Sequence, residues 1–279
     1  MTLKRMFWQW RKPKIIIPKF NCQSKYSYIS DVHVDTKIKV PGIKPVTDFL
    51  IVVGDVGNPS HPHVRDFFSK VSDTHKMVFF VPGNHDYDCS ALYDSEKENM
   101  YKHMLKNLCE QYKIKMLDNE HYFMPDNHLI IGSTLWCGPK IPMKMYAEMD
   151  YNLSLCDHFF AHRQKFNESV EYIKKTVNEN HDKIIIVATH FVPTFELIED
   201  KYKKTGIELI SWYASPLDHM IKKPIKYWIA GHTHSKISTM INNVYCGVNA
   251  YDAQIEQSDN RSNDRLIEPM ALPWIDRIK

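Results

Sequence analysis

Five strand-length apolar runs each break off at a polar cluster, and this repeated junction narrows what the chain can fold into. Lys25–Ser30 ends in Asp31-Val32-His33, and Phe49–Val53 ends in Gly54-Asp55. Met77–Val81 runs into Pro82-Gly83-Asn84-His85-Asp86. Ile184–Ala188 meets Thr189-His190, and Ile225–Ala230 meets Gly231-His232-Thr233-His234. Helical patterns over Val64–Ser72, Glu96–Tyr112 and Phe159–Asn178 lie between several of these runs. Strands alternating with helices predict an α/β fold with a largely parallel sheet and covered faces. His121–Met124 and His128–Ile131, split by Pro125-Asp126-Asn127, read as a hairpin. Ile237–Ile241 and Val244–Val248, split by Asn242-Asn243, read as another, because Asn-Asn suits a tight turn.

In an open α/β sheet, ligands bind outside the carboxyl ends of the strands. Five such ends bearing potential ligands converge if their strands are neighbours. Asp31 and His33 stand two apart just past a strand, where extended residues share a face. His232 and His234 repeat that spacing. Gly54, Gly83 and Gly231 precede three of the clusters and relieve crowding where backbone turns sharply. The donors are carboxylate, imidazole and amide oxygen, with no thiolate. They suit a borderline or hard divalent ion, Mn²⁺, Fe²⁺ or Zn²⁺, and argue against a cysteine-type structural zinc site. They also exceed what one tetrahedral ion can use. Two ions about 3.5–4 Å apart, bridged by a carboxylate, would use them. Each motif alone is weak; it is their order, each after an apolar run, that is specific.

The chain has 279 residues and a formal net charge of +3 from 36 basic and 33 acidic residues, a balance that gives no pull toward nucleic acid. A chain of this length buries roughly three quarters of its unfolded surface, so it needs neither disulfide nor metal merely to fold. No run approaches the ~20 apolar residues of a membrane span. The basic, aromatic start MTLKRMFWQWRKPK is interrupted by charge before a secretory core can form. The six cysteines are scattered without a CxxC pair and read as reduced, mostly buried thiols. The expected compartment is cytoplasmic. The expected organisation is a basic N-terminal tail over 1–24, able to contact an acidic surface, and one compact domain over 25–257. Elaborations at about 90–120 and 143–180 belong to that domain, and a C-terminal tail over 258–279 wraps the surface.

Taken in order, Asp31-Val32-His33, Gly54-Asp55, Gly83-Asn84-His85-Asp86, Thr189-His190 and Gly231-His232-Thr233-His234 resemble the motifs of the calcineurin-like metallophosphoesterases, from about Tyr26 to Tyr251. The resemblance implies a four-layered αββα sandwich, mixed sheets with flanking helices, and a dinuclear site at the strand ends. It implies that Asp31, His33 and His234 hold one metal, that Asp55 bridges, and that Asn84, His190 and His232 hold the second. Manganese or iron is expected first, and zinc next. His85 is then the catalytic histidine, and Asn84 and His85 contact substrate.

The activity so implied is hydrolysis of phosphoric esters, as a phosphodiesterase or a phosphatase, with hydroxide held between the metals attacking phosphorus. His85 would protonate the leaving oxygen, with Asp86 or Asp31 as candidates to orient it. A catalytically silent binding or scaffold protein of the same fold is the alternative; such proteins typically lose a ligand or the histidine at the position of His85, and here both remain. Ser90–Ser169 follows no substrate-defining pattern, so nucleotide, nucleic acid and phosphoprotein all stay open as substrates. Trp136 and Phe191 are further candidates for substrate contact. His61, His63, His158 and His162 read as ordinary loop or helix-face residues. Asn249 and Tyr251 carry little functional weight, and Arg163, Arg261 and Arg265 read as surface charges.

Overall fold

The computed structural model describes residues 25–87, 94–138, 153–252 and 266–273. The N-terminal tail, Arg261 and Arg265 lie outside the described residues, as do parts of the two expected elaborations.

Eleven strands form two sheets among the described residues. The first is ordered β11-β1-β2-β3-β4, built from β1 (Tyr26–Ile29), β2 (Phe49–Val53), β3 (Met77–Val81), β4 (Lys115–Met116) and β11 (Met270–Ala271). The second is ordered β5-β6-β7-β8-β10-β9. Its strands are β5 (Glu120–Phe123), β6 (His128–Ser133), β7 (Ile184–Thr189), β8 (Ile225–Ala230), β9 (Lys236–Ile241) and β10 (Val244–Asn249). β1 to β4 run parallel, as do β6, β7, β8 and β10, while β5, β9 and β11 pair antiparallel at edges. Both expected hairpins are present as β5–β6 and β9–β10. Asn242 and Asn243 turn the second with φ of 48° and 65°, the doubly positive geometry that matches strand twist.

Alternation along the strands makes the layers. In β2, Leu50 and Val52 face the helices, whereas Ile51 and Val53 face the second sheet. β3 repeats this with Val78 and Phe80 against Phe79 and Val81, and β7 with Ile185 and Val187 against Ile186 and Ala188. Helix α1 (Pro62–Thr74) covers the first sheet with Val64, Phe67, Phe68 and Val71, spaced as a single helical face. Helix α2 (Ser95–Gln111) adds Leu105 and Leu108, and helix α3 (Leu153–Glu179) brings Ile173 and Val177 to the second sheet's outer face. The result is helix, sheet, sheet, helix. Strands covered on both faces must be apolar throughout, which is why their sequences read as continuous runs rather than alternating ones.

Two strands of two residues each, β4 and β11, were not expected. The second changes the reading of the C-terminal segment: Ser27 and Tyr28 pair with Ala271 and Met270, and Ile267 is fully buried. Part of the expected surface tail is therefore sheet and core. Cys109, Cys137 and Cys246 are free and buried, and burial raises each thiol well above its ordinary pKa. No described helix is long and apolar enough to cross a membrane.

Phe68 is buried and meets Phe80 edge-on at 5.1 Å, joining α1 to the first sheet. Phe68→Ala should cost about 3–5 kcal/mol, seen as a lower urea midpoint at unchanged slope. Phe123→Ala, on the exposed edge strand, should stay within about 0.5 kcal/mol of the parent.

Candidate metal centre

The carboxyl ends of β1, β2, β3, β7 and β8 meet at one place, and contacts within and between the two sheets hold them there. His190, following β7, points its Nδ1 at the Val53 carbonyl at the end of β2, 2.9 Å away. A carbonyl only accepts, so Nδ1–H donates and Nε2 faces the site. The backbone N–H of Asp31 donates to Gly54 O at 3.0 Å, and that of Gly231 donates to His190 O at 2.9 Å.

Two groups of side chains result. Asp31, His33, Asp55 and His234 place ligand atoms within 4.8 Å of one another, and so do Asp55, His190 and His232. Asp55 belongs to both. Its Oδ2 lies 3.8 Å from His33 Nε2 and 3.2 Å from His190 Nε2. The Nε2 atoms of His33 and His234 are 3.3 Å apart, and His234 Nε2 is 3.7 Å from Asp31 Oδ1. Asn84 joins the second group, with Oδ1 3.1 Å from His190 Nε2. His85 sits exposed at the mouth. Its N–H donates to Asp55 Oδ1 at 3.0 Å, and its ring meets His33 edge-on at 5.1 Å.

The donor set fits divalent cations. Asp55 Oδ2 is buried and finds no hydrogen bond of proper geometry, although His190 stands beside it. Carboxylate and imidazole donors gathered this closely in a buried cleft are the chemistry that holds a divalent cation.

Glycine clears the space. A Cβ on Gly54 would strike the His190 ring, and one on Gly83 would strike Asp55 Oδ1 and stand 2.6 Å from the Asp55 nitrogen. Gly54 also takes φ +82°, where L side chains are strained.

The surrounding contacts are only partly those expected. Asp86 does not orient His85. Its Oδ1 accepts from Val56 and Gly57 N–H, and its Oδ2 from Asp55 and Gly83 N–H, at 2.7–2.9 Å. Burial and then the Asp55 charge push Asp86 upward in pKa, against the pull of those donors. Both oxygens of Asp31 accept the His232 N–H, at 3.0 and 3.1 Å.

Asp252, which the sequence did not single out, stands 3.5 Å from His234 Nδ1 and accepts from Lys37 Nζ at 2.7 Å. Its place directly after Tyr251 was the only local signal. Trp136 and Phe191 are both buried, their rings 5.7 Å apart. Phe191 backs the His232 ring, 3.9 Å away. Asn249 Nδ2 donates to the Tyr28 and Glu268 carbonyls and so ties β10 to the first sheet's end. His61 caps α1 by accepting from the His63 N–H. His162 is buried beside Cys137 and Trp136.

Charge state divides the histidines. Burial lowers His33, and burial and then His190 lower His232 well below the ordinary range. Burial acts the same way on His190, but Asp55 and then Asp31 outweigh it and raise His190 to about 9. The hydrogen bond to Asp252 raises His234.

A profile of the calcineurin-like phosphoesterases matches residues 27–236, and the chain belongs to that family. An uncharacterized protein of Acanthamoeba polyphaga mimivirus is 28% identical over 280 aligned positions, spanning 90% of this chain and 96% of that one. Among solved structures, a phosphopantetheinyl hydrolase from Mycobacterium tuberculosis superposes with a TM-score of 0.63 at 17% identity. That alignment covers 87% of this chain and 95% of the other, and it shows a shared fold.

Gly83→Ala should weaken Mn²⁺ binding at least tenfold, measured by calorimetry, while far-ultraviolet dichroism stays that of the parent. His190 must lose its proton before Nε2 can ligate. Mn²⁺ affinity should therefore rise with pH up to about 9, by at most about tenfold per unit. Protons should be released on binding at pH 7, read from titrations in buffers of unlike ionisation enthalpy. In the metal-free protein the His190–Asp55 attraction has the opposite sign with pH. It is fully present below about 6.5 and lost as pH climbs through about 9.

Proposed function

We propose that this protein hydrolyses phosphoric esters with two divalent cations. One is held by Asp31, His33, Asp55 and His234, and the other by Asp55, Asn84, His190 and His232. The observation that carries this reading is Asp55, one buried carboxylate common to both ligand groups. Oxygen and imidazole donors without thiolate favour manganese or iron over a structural zinc. Bound at this place, two dications supply the positive charge that a phosphoryl group's oxygens need, and they bring water's pKa toward neutrality.

The chain's own residues do the rest. Asn84 and His85 come from the loop after β3, and the His85 N–H fixes that loop to the shared carboxylate. The His85 ring is open to solvent beside His33, where an ester approaching the cations would arrive. An imidazole there donates a proton to the departing oxygen, the work of a positioned general acid. Asp252 holds His234 by Nδ1 and leaves Nε2 for the cation.

Asp55→Asn should lose bound metal and turnover together. His85→Asn should keep its metal yet lose about 10²–10⁴ in kcat on an alkyl phosphate. The loss should be smaller on p-nitrophenyl phosphate, whose leaving group needs little protonation. Unchanged kcat on both esters would remove His85 from this role. Parallel assays of p-nitrophenyl phosphate and bis-p-nitrophenyl phosphate separate monoester from diester preference.

A further inference from the structure

Between β7 and β8 the chain makes two one-turn helices, α4 (Asp200–Lys203) and α5 (Ile207–Ile210), whose side chains wall a cavity of about 440 Å³. Ile198, Tyr202, Leu209, Ile210 and Tyr213 supply its apolar surface, and the ligand residues His232 and His234 supply its inner end. The Tyr213 ring lies 5.3 Å from that of His232, so the cavity is continuous with the candidate metal centre. We propose that this cavity seats the organic group of the substrate, and that this group is an uncharged apolar chain or ring carried on a small phosphoester. The proposal rests on the phosphoesterase reading and adds the substrate's other half.

Three observations converge on it. The volume lies in the range of small-molecule sites. Tyr202, Leu209 and Tyr213 are 49%, 50% and 42% exposed, a concentration of half-open large apolar side chains at the rim of a polar site. Charge excludes the polyanionic substrates. No lysine or arginine lines the cavity among the described residues, and its one acid, Glu199, is paired with Lys201 at 3.0 Å. The neighbouring cation Lys201 stands outside the lining beside Tyr202 and is already paired with Glu199, so a second phosphate or a nucleic-acid backbone entering here would find no unpaired counter-charge among the lining residues. A folded phosphoprotein needs a shallow face, whereas this cavity is walled.

The test is calorimetric titration of the Mn²⁺-loaded full chain with a series of alkylphosphonates, methyl to octyl, which bind without being hydrolysed. Affinity should rise about three- to fourfold per methylene until the cavity is filled. Leu209→Glu and, independently, Tyr202→Ser should flatten that rise. A flat series in the parent protein, or no binding by any member, overturns the proposal. So does a rise that both variants leave intact. Turnover of p-nitrophenyl phosphate or of bis-p-nitrophenyl phosphate reports separately on the hydrolytic reading. A graded series without turnover keeps the cavity's assignment and removes hydrolysis; turnover with a flat series does the reverse.

Discussion

Both oxygens of Asp86 are spent on backbone. Four N–H groups, from Asp55, Val56, Gly57 and Gly83, converge on this one buried carboxylate and lock the loop after β2 to the loop after β3. A buried carboxylate without donors is costly, and with four it is a rigid node. Asp55, the residue common to both candidate ligand groups, is held by its own backbone to that node. Its Oδ1 in turn accepts the His85 N–H. Burial disfavours the Asp55 anion, yet His190 and the neighbouring His85 and His33 outweigh burial and hold its pKa well below the ordinary carboxylate range. A line of hydrogen bonds and charges thus runs from Asp86 through Asp55 to His85 and His190.

The backbone at this node is strained. Asp31, His33, Asp55, His232 and His234 all take left-handed φ, between 45° and 66°. Non-glycine residues there cost about 1 kcal/mol or more each, and such strain concentrates at functional sites. The left-handed turn is what lets a strand end abruptly and aim its next side chain back over the sheet edge. The strain is offset by the cores beneath, where both sheets are covered on each face, and by cross-sheet bonds such as that between the Tyr28 and Tyr245 hydroxyls at 3.1 Å.

Much of this was legible in the sequence because the signal is local. An apolar run followed at once by Asp31 and His33, or by His232 and His234, states both the strand and its end. Asn242-Asn243 states the turn. What was not legible depends on partners distant in sequence. Asp252 matters only because the fold brings it to His234 and Lys37, and Asp86 could be weighed only once its four donors were visible. β4 and β11, at two residues each, are too short to show any periodicity. The four-residue helices α4 and α5 have no helical repeat to detect, so the cavity they wall had no trace in the pattern. The C-terminal segment looked polar on average, and the burial of Ile267 and Leu272 was hidden among charges and prolines.

The central claim is that Asp55 is shared by two cations. Elemental analysis of the full chain, loaded with Mn²⁺ and dialysed free of excess, tests it most directly. Two metal ions per chain is the predicted content. A content of one ion or none would contradict the account, since Asp55 would then have no second cation to bridge.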